Sequence, residues 1–102
     1  DAVLPLIRLL EKSGNDVWRT IPRLDIVETL GKIGPAAGPA VPVLTKALAD
    51  DDWQMRFVAA SALGQIGAAA KPALPELRRL AEDRTVDRQA NRIAREAIKK
   101  IE

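Results

Sequence analysis

Apolar residues recur along this chain at the spacing of a helix rather than of a strand. Met55, Ala59, Leu63 and Ile66 step by 4, 4 and 3 positions, and Val41, Leu44, Ala47 and Leu48 show similar steps one segment earlier. Such steps place side chains on one face of an α-helix. The spacing predicts a helix from about Trp53 to Ile66, with Gly67 as its stop. The preceding helix opens with Gly38-Pro39-Ala40-Val41-Pro42, where proline is tolerated because first-turn N–H groups have no intrahelical acceptor. Asp50-Asp51-Asp52 ends that helix and caps the next. Ala59, Ala60 and Ala62 are small enough to let neighbouring helices approach closely.

The same pattern repeats. Leu30-Gly31-Lys32-Ile33-Gly34 returns as Leu63-Gly64-Gln65-Ile66-Gly67 after 33 residues, and Ala40-Val41-Pro42-Val43-Leu44 returns as Ala73-Leu74-Pro75-Glu76-Leu77 after another 33. Val3-Leu4-Pro5-Leu6-Ile7 is the same element one unit earlier, and Ala97 to Ile101 matches Ala62 to Ile66 at an offset of 35. The chain divides into three helix-pair units, at about 1–34, 35–67 and 68–102, within one domain. The first unit departs from the pattern through an enlarged turn, Asn15 to Thr20, and its second helix is expected to begin near Pro22. The third closes with a long charged helix, Val86 to Ile101. One helix pair cannot hide its own apolar stripe, so these units are expected to stack as an all-α solenoid.

Composition agrees with helices. Hydrophobic residues make up 47% of the chain and aromatic residues only 3%, a mixture poorer in strand formers than a sheet needs. There is no cysteine and no histidine, so within this chain disulfides, zinc–thiolate sites and imidazole catalysis have no residues to build on. The missing cysteine fits a reducing, cytoplasmic setting. The net charge of +2 is too small to argue for nucleic acid, and no apolar run approaches the ~20 residues of a membrane span. The opening Asp1-Ala2-Val3 lacks an initiator Met and reads as a segment of something longer.

Together, Ala40-Val41-Pro42-Val43-Leu44, the acidic turn, Met55-Arg56 and Ala59 to Gly67 resemble the HEAT repeats, in particular their short HEAT-like form first noted in phycobilisome lyases. The resemblance covers essentially the whole chain and is specific for fold. It implies a right-handed α–α superhelix of the HEAT/armadillo type, with first helices on the convex side and second helices on the concave side. It also implies pairing of a turn aspartate with an arginine early in the second helix. The matching positions are Asp16 with Arg23, and Asp51 with Arg56; the third unit carries Asn91 there. Function is less constrained, since one fold hosts scaffolds, adaptors and a few enzymes.

With the Met55 stripe turned inward, Gln54, Phe57, Ser61 and Gln65 are left at least partly exposed. Carrying the register across gives concave rows of Leu24, Phe57 and Arg92, of Glu28, Ser61 and Glu96, and of Lys32, Gln65 and Lys100. Leu24 and Phe57 are apolar where solvent is expected, which suits a binding hot spot; the plainer reading packs both sideways on the next helix. Trp18 and Trp53 suggest stacking platforms, but their like positions in the repeat favour covering the ends of the core.

Arg88, Arg92, Arg95 and Lys99 fall on one face of the last helix. This reads either as a phosphate-binding stripe or, given the interleaved acids, as a solvated capping face. Val3, Leu4, Leu6, Ile7, Leu9 and Leu10 leave the first helix little polar surface, so it is expected to pack on a preceding repeat or on a second copy. Asp50–Asp52 are expected to cap helices rather than hold a metal, and nothing in the sequence calls for a cofactor. Ser61 and the other hydroxyls have no activating base. The leading expectation is a non-catalytic scaffold or adaptor whose concave face binds a protein or peptide, with Leu24, Glu28, Gln54, Phe57, Ser61, Gln65, Arg92, Arg95 and Glu96 as its contact residues. The alternatives are a nucleic-acid-binding module using the basic third unit and a segment of a bilin-lyase-like protein.

Overall fold

A computed structural model describes residues 3–5, 7–8 and 23–102. The described residues of the amino-terminal segment are helical. Five helices follow: α1 (Arg23–Ile33), α2 (Val41–Ala47), α3 (Trp53–Ile66), α4 (Leu74–Glu82) and α5 (Arg88–Ile101). No strand occurs among the described residues.

The boundaries follow from local chemistry. Gly34 and Gly67 adopt φ of +78° and +79°, which ends α1 and α3 where an L side chain would be strained. A 3₁₀ turn follows each, Gly34–Ala40 and Gly67–Ala73, in place of the plain linker the sequence suggests. Each holds a proline, Pro39 or Pro72, and buries alanines at matching positions, Ala37 and Ala40 or Ala70 and Ala73. Pro42 and Pro75 then sit in the first turns of α2 and α4. Asp52 caps α3 by accepting from the Gln54 N–H at 2.9 Å, and Asp87 caps α5 by accepting from the Ala90 N–H at 3.1 Å. The last helix therefore begins at Arg88 rather than at Val86.

The second helices α1, α3 and α5 form one layer with α3 in the middle, and α2 and α4 pack on its other side. Between the layers lies the core. Met55, Ala59, Leu63 and Ile66 are all buried, as the helical spacing predicts. Ile26, Leu30, Leu44, Leu77, Ala94 and Ile101 continue the same interior. Burying one such aliphatic side chain contributes about 1.5–3 kcal/mol, so stacking rather than helix propensity holds these short elements. The result is an all-α repeat solenoid.

Small residues set the spacing between second helices. Gly31 faces the backbone of Ala62, and Gly64 faces that of Ala97. The pairs are equivalent by register, 31 to 64 by 33 residues and 62 to 97 by 35. A side chain on either glycine would push its neighbour away.

Candidate functional site

Inter-helix turns fix how each second helix is presented. Arg56 binds the turn before α3, but not through a carboxylate as the resemblance implies for Asp51 with Arg56. Its Nη1 donates to the backbone carbonyls of Asp50 (2.8 Å) and Asp51 (3.1 Å). Carbonyls at a helix end lack intrahelical partners, and a guanidinium supplies them with donors. The Asp51 side chain is exposed to solvent. Asn91 takes the same place in the last repeat: its Nδ2 donates to the carbonyls of Leu80 (2.7 Å) and Asp83 (2.9 Å). The shorter amide therefore performs the arginine's task. Asp16 and the side chain of Arg23 lie outside the described residues.

Two open grooves lined by described residues lie on the outer surface of the second-helix layer. One, of about 450 Å³, lies between α1 and α3 and is lined by Leu24, Asp25, Glu28, Trp53, Gln54, Phe57, Val58 and Gln89. The other, of about 300 Å³, lies between α3 and α5 and is lined by Phe57, Gln89, Arg92, Ile93 and Glu96. Phe57 is half-buried and belongs to both. Leu24 is half-buried against the core, so it combines the two roles open to it from sequence. Of the expected contact residues, the structure brings Leu24, Glu28, Gln54, Phe57, Arg92 and Glu96 to the grooves. Ser61 (half-buried), Gln65 and Arg95 (both exposed) line neither.

Trp53 departs from expectation. It does not cover the end of the core but is 51% exposed, at the first position of α3 on the groove's edge. Met55, two residues on and 2% exposed, fills the interior at that end instead. Gln89, Val58, Asp25 and Ile93 are groove residues that the sequence reading passed over. Gln89 was within reach, since it repeats Gln54 at the offset of 35. Trp18 lies outside the described residues.

Register also accounts for part of the cationic stripe of α5. Positions that face the next repeat are Val27 and Ala60, then Gly31 and Gly64, and all four are buried. Their third-repeat equivalents are Arg95 and Lys99, both exposed. Gly38, whose added Cβ would lie 3.4 Å from the Ala69 Cβ of the next repeat, corresponds to exposed Lys71. Val43, packed on the core, corresponds to Glu76. Several of the charges fold back on their own repeat. Arg95 Nη2 donates to the Ala81 carbonyl (3.2 Å), Arg78 pairs with Glu102 (2.9 Å), and Arg92 pairs with Glu96 (3.4 Å). Arg95 and Lys99 thus fall where the earlier repeats carry a stacking face, whereas Arg88 and Arg92 share the register of Trp53 and Phe57 on the groove side.

Among the described residues no group of His, Cys, Asp or Glu could hold a metal ion, and no helix is long and apolar enough to cross a membrane. In the amino-terminal segment Val3 and Ile7 are buried while Leu4 is 54% exposed. Leu6, Leu9 and Leu10 lie outside the described residues.

A family model described as HEAT repeats matches residues 3–99. Comparison with curated proteins and with solved structures gives no match. Paired helices, glycine stops recurring at an offset of 33, and a family match across nearly the whole length lead to one conclusion: this chain belongs to the HEAT repeat family.

Proposed function

We propose that this chain is a protein-binding module of a scaffold or adaptor, a single solenoid domain with repeats at about 1–34, 35–67 and 68–102. HEAT repeats commonly serve as protein-interaction scaffolds. The face formed by α1, α3 and α5 is the concave binding surface, and it receives a peptide or a segment of another protein.

The observation that carries this reading is Phe57, half-buried and shared by both grooves, with Trp53 exposed beside it. Aromatic side chains bury large area at low entropic cost and dominate the centres of protein interfaces. Around them the surface is polar, as the rim of an interface is. The grooves contain acids, amides and one arginine, and no hydroxyl or thiol nucleophile beside a base. That chemistry suits recognition better than catalysis. Arg95 and Lys99 hold the register of buried stacking positions and Arg92 pairs with Glu96, which weighs against a phosphate-binding stripe and so against nucleic acid.

Affinity capture from cell extract, with the whole chain and with Phe57→Asp, tests the proposal. The variant is expected to keep its helical circular dichroism and lose one specific partner. Retention of every partner by Phe57→Asp would refute it.

A further inference from the structure

We infer that the groove between α1 and α3 accepts a cationic side chain, arginine or lysine, from the partner polypeptide. This rests on the binding role proposed above and adds the chemistry of the ligand.

The only charged groups among the residues lining this groove are two carboxylates, those of Asp25 and Glu28. Both residues are exposed, and neither carboxylate has an ion-pair partner among the described residues. Beside them Trp53 leaves half its surface in water, and Phe57 adds a second ring. An indole face attracts a cation through its quadrupole, and a carboxylate attracts it through charge and hydrogen bonds. The two preferences coincide on one ligand. An anionic side chain would meet like charges here. A purely apolar one would cover Trp53 while stripping water from carboxylates that gain nothing in return.

The neighbouring groove lacks this bias. Its one base, Arg92, is paired with Glu96 at 3.4 Å. The unpaired carboxylates and the indole therefore come together only in the first of the two grooves, where Leu24 and Phe57 give an apolar floor for the aliphatic stem of a lysine or arginine. Gln54 and Gln89, equivalent by register, both line it. Each carboxamide offers a donor and an acceptor, which suits the backbone of a bound peptide. The occupant this describes is a short segment of another protein in which a basic residue adjoins apolar ones.

A randomised peptide library displayed against the whole chain tests the assignment. Enriched sequences should carry arginine or lysine next to an apolar residue. Glu28→Gln combined with Asp25→Asn should weaken them about tenfold, the joint effect of two exposed ion pairs and a partner-oriented cation. Both substitutions are at exposed positions and keep side-chain shape, so unchanged circular dichroism is the control. Trp53→Leu, which keeps apolar area but removes the indole, should weaken the same peptides. Enrichment of neutral or acidic peptides that still depend on Phe57 would overturn the cationic assignment and leave the binding surface standing. Enriched peptides indifferent to Phe57→Asp, or no enrichment at all, would overturn both.

Discussion

A Cβ placed on Gly64 would come 3.1 Å from the Cα of Ala97 in the next second helix. At Gly31 the corresponding distance to the Ala62 Cα is 2.9 Å, with the flexible Gln65 side chain closer still. Glycine inside a helix ordinarily costs about 1 kcal/mol relative to alanine. Here overlap with backbone opposes that gain, and overpacking costs about 1–3 kcal/mol. Gly31→Ala is therefore expected to destabilise the fold, and by more than Gly64→Ala. Urea unfolding of the two variants ranks them. A Gly31→Ala chain more stable than the parent would contradict the close contact.

Removing the amide that replaces arginine should expose its role. Asn91→Ala leaves the Leu80 and Asp83 carbonyls without their side-chain donor. The expected cost is about 1–3 kcal/mol. Asn91→Asp keeps the shape but, once ionised, turns an acceptor toward two acceptors. It should be at least as damaging at neutral pH. Denaturant midpoints for both variants test this; unchanged midpoints would show the bonds to be dispensable.

Asp83 should show an acid-side titration tied to Thr85. Its Oδ1 accepts from the Thr85 hydroxyl (2.6 Å) and from the Thr85 N–H (2.8 Å), and these bonds hold its pKa below the usual carboxylate value of 3.8. A carboxyl depressed in the folded state stabilises above its unfolded pKa, and that contribution fades as pH falls through the folded value. Thr85→Val removes the hydroxyl bond, so the Asp83 pKa should move up toward its ordinary value. Carboxyl NMR titration reads this directly. No movement in Thr85→Val would mean that the hydroxyl is not its cause.

Restoring the earlier repeats' residues on the exposed face of the third repeat should make it adhesive. The combined substitutions Lys71→Gly, Glu76→Val, Arg95→Ala and Lys99→Gly replace charges by the small or apolar residues at the equivalent positions of the second repeat, Gly38, Val43, Ala60 and Gly64. The variant should gain mass with concentration in light scattering relative to the parent at the same concentration. Parent-like behaviour would show that these charges do not govern stacking.

The buried stripe of α3 was legible because only helical spacing brings Met55, Ala59, Leu63 and Ile66 together, and the recurring Leu-Gly elements fixed its neighbours. Other features turn on choices that residue order does not record. An arginine beside a turn aspartate can meet its carboxylate or its carbonyl, and Arg56 takes the carbonyl. Trp53 stands at the first position of α3, where no periodicity says whether the ring turns in or out. Arg95 and Lys99 take the register of Ala60 and Gly64, and residue order does not record that those two positions are buried. Helix α5 starts at Arg88 because Asp87 outcompetes Val86 as a boundary residue, its carboxylate satisfying an orphan N–H.

The glycine–alanine seam has a final implication for how such a module changes. Where backbones approach this closely, the contacts of Gly31 with Ala62 and of Gly64 with Ala97 set the pitch from one second helix to the next. Trp53 and Arg92 lie off that seam with their side chains exposed, so they can be exchanged without disturbing it. A ligand gripping both grooves must space its anchors to that interval, whatever their chemistry. Under the binding role proposed above, reach is set by the seam and taste by the exposed groove residues, so the second can be rewritten without the first.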